Sequence, residues 1–235
     1  NVYLATFTAS ADFPITPGAY QTTYGGGNWD GAVVKMNSNL SALTWSTYLG
    51  GGGQDLALGI RIADDGTVYV CGGTESTNFP VTAGAYQTTP LGSTGGGPFG
   101  GGSPDGYAAQ LSANGANLLH STFVNTSQSD IAFFLDLSKD GNVCLYGLTE
   151  GNFPVSPGVY SNANGKMLLV SLEPDLSTLL YSTRIGTSSM TINPTAFLVD
   201  NCDRIYAGGF TGDSGLPTTP DAWSPTNGSG DFYFM

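Results

Sequence analysis

Five aspartates and one histidine are the residues whose type and spacing could do chemistry in this chain. Asp30, Asp105 and Asp231 each head a strand-like run, and Asp55 and Asp130 each precede another. Paired carboxylates on facing elements are the equipment of glycoside hydrolysis. These acids, however, return once per unit of a repeat. That argues for local work, with short Asp side chains accepting hydrogen bonds from turn and loop amides. His120 is the sole histidine. A Ser-His-Asp site needs a base oriented by a third group, and no serine is singled out as its partner. In the register of the repeat His120 takes the slot of Trp45 and Tyr181, just ahead of a Ser-Thr pair, which reads as an aromatic packing position. The acids Asp64, Asp65, Asp140 and Asp203 offer oxygen ligands of the kind calcium takes. No Asp-x-Asp-x-Asp-Gly loop accompanies them, so they read as hairpin turns. Trp29, Trp45 and Trp223 are the candidates for stacking on a sugar. Trp223 and Trp45 fall in recurring aromatic slots, and Trp29 alone does not, which leaves it as the one weak ligand candidate. No catalytic, cofactor-binding or metal-binding residue is expected.

Composition narrows the class of partner. The 235 residues suffice for a sizeable core. Charged residues make up 10%, against roughly 25% in ordinary globular chains, and Gly, Thr, Ser, Asn and Tyr supply the polarity instead. That balance suits an extracellular β-protein rich in turns. The net charge is −12 with six basic residues, too few to neutralise a row of phosphates, so nucleic acid and anionic membrane surfaces are poor partners. Cys71, Cys144 and Cys202 are three in number with no CxxC spacing. At most one disulfide can form within the chain, and free buried cysteine is the simpler reading. No run of about 18 apolar residues is present, so no transmembrane helix is expected, and no signal peptide is visible. The chain opens on the strand-like "NVYLATFT" and stops on "DFYFM", which reads as a segment of a longer protein.

The elements that position these residues are repeated. "DFPITPGAYQTT" (12–23) returns as "NFPVTAGAYQTT" (78–89), "NFPVSPGVYSN" (152–162) and "GLPTTPDAW" (215–223). The aligned steps are Phe13-Pro14, Phe79-Pro80, Phe153-Pro154 and Leu216-Pro217, spaced 66, 74 and 63 residues apart. A strand precedes each phrase (2–8, 68–74, 143–149, 205–211), and a second follows it (30–37, 105–112, 165–173, 231–235). A third lies at 43–50, 118–124 and 179–186, and a fourth at 56–66, 130–141 and 194–203. These runs are short, rich in Val, Ile, Tyr, Phe and Thr, and bounded by Gly, Asp and Asn. No sustained 3.6-residue apolar period occurs, so helix should be scarce. Runs such as Ile131-Ala132-Phe133-Phe134-Leu135 are apolar on both faces, as in a sheet covered on both sides.

Four strands per unit with both sheet faces buried describe an all-β fold, a β-propeller of four-stranded antiparallel blades. Fourteen strands make about three and a half blades of a larger ring of seven or eight. The repeat units are 1–66, 67–141, 142–203 and the incomplete 204–235, in a single propeller segment. A β-solenoid or a pair of sandwiches is the other architecture considered. Glycines in the first strand (Gly72, Gly73, Gly147, Gly208, Gly209) suggest a crowded place near the hub. The recurring phrase is then a long loop between two strands that must pack on itself. Pro14 holds Phe13 extended. Pro17-Gly18 reads as a type II turn. Phe13, Tyr20, Phe79, Tyr86, Phe153, Tyr160, Leu216 and Trp223 are its apolar anchors, with Pro14, Pro80, Pro154 and Pro217 fixing the step. The second unit lengthens this loop with the Gly-rich "PLGSTGGGPFGGGSP" (90–104), in a place where repeat proteins carry either binding loops or neutral expansions.

"NFPVTAGAYQTT", an Asp-Gly-headed strand, "WSTYLGGGGQD" and "DDGTVYVCGGT" together resemble the bacterial SBBP β-propeller repeat family, over essentially the whole chain. The third unit departs from it, with Gly165 in place of the strand-heading Asp and "GTSSMTIN" (186–193) in place of the Gly-Gly-x-x-Asp turn. The last part, from "DNCDRIYAGGFTG" to "DFYFM", is similar to the repeat region of long exported Bacteroidota proteins of the gliding-motility type that carry type IX secretion sorting domains. The resemblance implies export and cell-surface attachment and brings no catalytic residues with it. The expected function is a secreted or cell-surface scaffold, adhesin part or protein-interaction platform, with no cofactor. Its partners would be other blades or domains of a longer chain, a surface or secretion-machinery protein, or a polysaccharide. A lectin-like propeller is the alternative, which exposure of Tyr20, Tyr86, Tyr160 and Trp223 would favour. A polysaccharide lyase or glycosidase is the third reading, and it would need acids in one unit only.

Overall fold

The computed structural model describes residues 1–92, 102–188, 192–212, 215–224, 226 and 230–235. Most of the Gly-rich insertion (93–101) and the centre of "GTSSMTIN" (189–191) lie outside the described residues. The described chain is all-β, with fourteen strands and no helix among them. They are β1 (Val2–Thr8), β2 (Asp30–Met36), β3 (Leu43–Leu49), β4 (Asp55–Ile62), β5 (Val68–Thr74), β6 (Asp105–Leu111), β7 (Leu118–Val124), β8 (Asp130–Leu137), β9 (Val143–Thr149), β10 (Met167–Leu172), β11 (Leu179–Ile185), β12 (Ile192–Val199), β13 (Ile205–Thr211) and β14 (Asp231–Phe234).

They form four antiparallel sheets with orders β1-β2-β3, β4-β5-β6-β7, β8-β9-β10-β11 and β12-β13-β14. The sheet boundary differs from the repeat boundary. The run at 56–66 does not close the sheet of its own unit but opens the next one, pairing Asp55 with Thr74 and Ile62 with Val68. The physical reason is the short Gly66 turn, whose φ of +85° lets the chain double back onto β5. These glycines therefore sit on the second strand of the second, third and fourth sheets. A Cβ at Gly72 would stand 1.7 Å from the Leu56 carbonyl oxygen, and one at Gly147 would stand 2.0 Å from that of Ile131.

Neighbouring sheets pack face to face through three cores. Tyr3, Ala5, Val33 and Leu49 of the first sheet meet Val68, Val70, Tyr107 and Phe123 of the second. Tyr69, Cys71 and Ala108 meet Val143, Leu145, Leu172 and Leu176. Cys144, Tyr146 and Met167 meet Phe197, Val199 and Ala207. Each interface uses alternate residues of the strands, so every internal sheet is apolar on both faces. The opening strands converge: β4 lies against β8, and β8 against β12. A Cβ at Gly59 would stand 2.7 Å from Cys71 Sγ and 3.1 Å from the Leu135 nitrogen. Asp136 on β8 ties three sheets together, pairing with Arg61 of β4 at 2.8 Å and accepting the Val199 amide of β12 at 3.0 Å. Among the described residues the four sheets close no ring on themselves.

Candidate functional site

The four phrases are one structural device, built mainly from backbone groups. The first three follow β1, β5 and β9, cross the sheet and run along the free edge of its outermost strand, β3, β7 or β11. Thr16 N–H donates to Ser46 O at 3.3 Å, Thr82 N–H to Ser121 O at 3.1 Å, and Ser156 N–H to Ser182 O at 3.0 Å. Farther on, Tyr48 N–H donates to Gln21 O at 3.1 Å and Phe123 N–H to Gln87 O at 3.0 Å. The Thr of the recurrent Ser-Thr pair completes the seam, accepting from Gln21 N at 2.8 Å and from Gln87 N at 2.9 Å. An outer strand would otherwise offer a row of unpaired backbone groups to any other chain. Sequence reading noted the Ser-Thr pair without assigning it this task. Its signal was the recurrence of two hydroxyls in every third strand.

The turn inside the phrase matches expectation. Gly18, Gly84 and Gly158 have φ of +79°, +81° and +81°. Ala19 N–H closes on Thr16 O at 3.2 Å, and Ala85 N–H on Thr82 O at 3.3 Å. That is the type II geometry, with Pro or Ala before the glycine.

The anchors separate into two kinds. Phe79 and Phe153 are buried, and Phe13 and Leu216 are half-buried. Phe79 lies 4.4 Å from Tyr107 and 6.1 Å from Phe123, and Phe13 lies 6.2 Å from Tyr48. Pro80 is half-buried, while Pro14, Pro154 and Pro217 are exposed, so the prolines set the chain's direction and fill no core. The aromatic at the far end of the phrase reaches the next sheet. Tyr20 N–H donates to Gly115 O in the β6–β7 turn at 2.9 Å, and Tyr86 N–H to Leu176 O in the β10–β11 turn at 2.9 Å. Tyr160 and Trp223 do not behave as buried anchors: they are 66% and 101% exposed. The reason is positional. Among the described residues Tyr20 and Tyr86 each meet the outer hairpin turn of the sheet after their own, and Tyr160 and Trp223 meet no such turn.

The recurring acids hold loops. Asp55 Oδ2 accepts Gly51 N–H at 2.7 Å and the Ser76 hydroxyl at 2.8 Å, and the Thr74 hydroxyl donates to Oδ1. Asp130 Oδ2 accepts the Thr126 N–H and hydroxyl, with Thr149 beside it as Thr74 is beside Asp55. Asp30 accepts Gly25 N–H, and Asp105 accepts the Leu91 and Gly92 amides at 3.0 and 3.3 Å. Burial outweighs these donors and pushes Asp55 and Asp130 each up to about 6, with Asp30 adding to the shift of Asp55 and Asp105 to that of Asp130. Asp30 and Asp105 are raised for the same first cause. At the third junction the strand register puts Lys166, one residue beyond the expected Gly165, in the place of Asp30 and Asp105, and Ile192 in that of Asp55 and Asp130, so two of the three junctions carry an acid pair. Asp231 is exposed.

The remaining candidates are placed in packing and turns. Trp29 tilts against Phe7 with ring centroids 5.6 Å apart, and its carbonyl accepts Asp55 N–H at 2.8 Å. Trp45 is buried and donates Nε1–H to Ala113 O at 3.0 Å, so the shallow cleft it floors with Lys35, beside Thr16–Ala19, offers no open indole face. His120 is half-buried opposite Gln110. Asp65 accepts the Thr67 amide and hydroxyl at 2.9 and 2.7 Å. Asp203 takes a left-handed turn position and accepts Lys139 N–H at 2.8 Å. Among the described residues no group of three or more His, Cys, Asp or Glu gathers around a common point. All three cysteines are free. Cys71 and Cys144 are buried, and burial raises both thiols, whereas Cys202 is exposed, against expectation, at the β12–β13 turn.

No protein-family model and no curated protein matches the chain.

Proposed function

We propose that this chain is a segment of a β-propeller of four-stranded blades, part of a seven- or eight-bladed ring, and that it serves as a non-catalytic scaffold or interaction platform of an exported bacterial surface protein. The observation that carries this reading is the repetition of one inter-sheet joint. Asp55 and Asp130 each take, on Oδ2, the amide four residues before them and a hydroxyl, and Tyr20 and Tyr86 latch the next sheet through the same backbone bond. A hydrolase concentrates its acids at one cleft, at a separation set by the reaction. Here they recur at successive joints, buried and hydrogen-bonded. The convergence of β4, β8 and β12 supports a radial arrangement of blades, as in a propeller. Function in such a fold resides in the loops it displays.

The test is a panel of soluble polysaccharides incubated with the chain and with Asp55→Asn and Asp130→Asn, reading new reducing ends and retention together with thermal stability. The expected result is no turnover and an altered melting temperature in both variants. Turnover that vanishes in one variant while its melting temperature is unchanged would overturn the scaffold reading. Retention of one glycan by the folded chain would move it to the lectin-like alternative.

A further inference from the structure

The two outermost sheet faces are the halves of a joint that the molecule makes three times inside itself. On the first sheet, Val2 and Leu4 are 42% and 53% exposed. The same register positions in the second sheet are Val68 and Val70, and in the third Val143 and Leu145, all buried against the preceding sheet. On the fourth sheet, Phe232 and Phe234 are 86% and 77% exposed, flanked by half-exposed Phe210 and Leu198. Phe232 occupies the position of Met167, and Phe234 that of Val33 and Ala108, which are buried against the following sheet. Phe210 pairs with Phe232 across the strands, and Tyr206 stacks on Phe234 at 6.1 Å, so the face is continuous. Trp223, in the loop of this fourth sheet, holds the place from which Tyr20 and Tyr86 donate a backbone N–H to the next sheet's outer turn. A contiguous apolar face of this kind marks an interaction site.

We infer that the outer face of β12-β13-β14 is a docking surface for the first sheet of a second copy of this chain. That sheet presents small aliphatic residues at the positions of Val68 and Val70 and an outer-turn carbonyl that accepts the Trp223 amide. The argument is continuity with the three joints already formed. It rests on the proposed function only in taking the sheets as copies of one unit, and it holds for a ring of any size. The first sheet carries such a face, so a second copy of the chain supplies it. Joining the back of one copy to the front of another is a head-to-tail contact.

The test is light scattering after size exclusion on three samples: Leu4→Asp, which blocks the front face; Phe232→Asp/Phe234→Asp, which blocks the back face; and their equimolar mixture. These side chains are exposed, so folding is checked simply, by the far-ultraviolet spectrum. Each variant alone is expected to run at the chain's 24.2 kDa. The mixture is expected to form a species of twice that mass, because each variant retains the face the other lacks. The unmutated chain is expected to associate with rising concentration. A mixture that stays at the single-chain mass, an unmutated chain that stays monomeric, or variants that associate alone would each overturn the inference. None of these outcomes bears on turnover, so its failure is distinct from failure of the scaffold reading.

Discussion

Asp55 shows how a residue that could do chemistry is committed to structure. Its carboxylate is buried and meets three donors, yet desolvation still holds its pKa at about 6, as it does for Asp130. An unfolded aspartate titrates near 4. The folded pKa is the higher one, so proton uptake favours the fold. That contribution is complete below about pH 4 and is lost as pH rises through about 6. The melting temperature should therefore rise as pH falls from 7.5 to 5. In Asp55→Asn/Asp130→Asn the rise should shrink, and an unchanged slope would assign it to general relief of the −12 charge. The Thr122 hydroxyl belongs to the seam between loop and outer strand, accepting Gln87 N–H at 2.9 Å. Thr122→Val leaves that amide unpaired and should cost about 1–3 kcal/mol in urea unfolding. A cost near zero would show that the seam does not need its side chains.

At the scale of the element, two glycines separate conformational strain from steric exclusion. Gly84 has a φ of +81° with open space around its Cβ position, whereas Gly59 has an ordinary φ with Cys71 and the β8 backbone within 3.2 Å. Gly84→Ala should cost about 1 kcal/mol, the left-handed penalty. Gly59→Ala should cost more, because β4 and β8 must part and both carry core residues. Equal costs would contradict the close approach of the two strands. Strand positions were legible in the sequence. Runs such as Val68–Thr74 and Ile205–Thr211 are bounded by Asp, Gly or Asn, and the observed strands match those bounds. Which sheet a strand joins was not legible, because residues 56–62 are apolar whichever edge they pair on. The pairing was decided by the Gly66 turn and by the close fit at Gly59. The type II turns and the loop-holding role of the aspartates could be read locally. The seam along the outer strand could not, since it joins residues about thirty positions apart through backbone groups common to all sequences.

At the scale of the whole molecule, one joint between sheets is made three times and left open at both faces. Exposure of Tyr160 and Trp223 beside half-burial of Tyr20 and Tyr86 is then a property of place in the array rather than of a ligand site. The direct measurement is residue-resolved amide hydrogen exchange of Tyr20, Tyr86, Tyr160 and Trp223 by NMR, on the back-face variant so that the chain stays monomeric. Slow exchange at Tyr20 and Tyr86 with fast exchange at Tyr160 and Trp223 is the predicted result, since the first two amides donate to the following sheet's turn. Equal protection at all four positions would contradict the account, because the loops would then be held within their own sheets and no joint would pass from one sheet to the next.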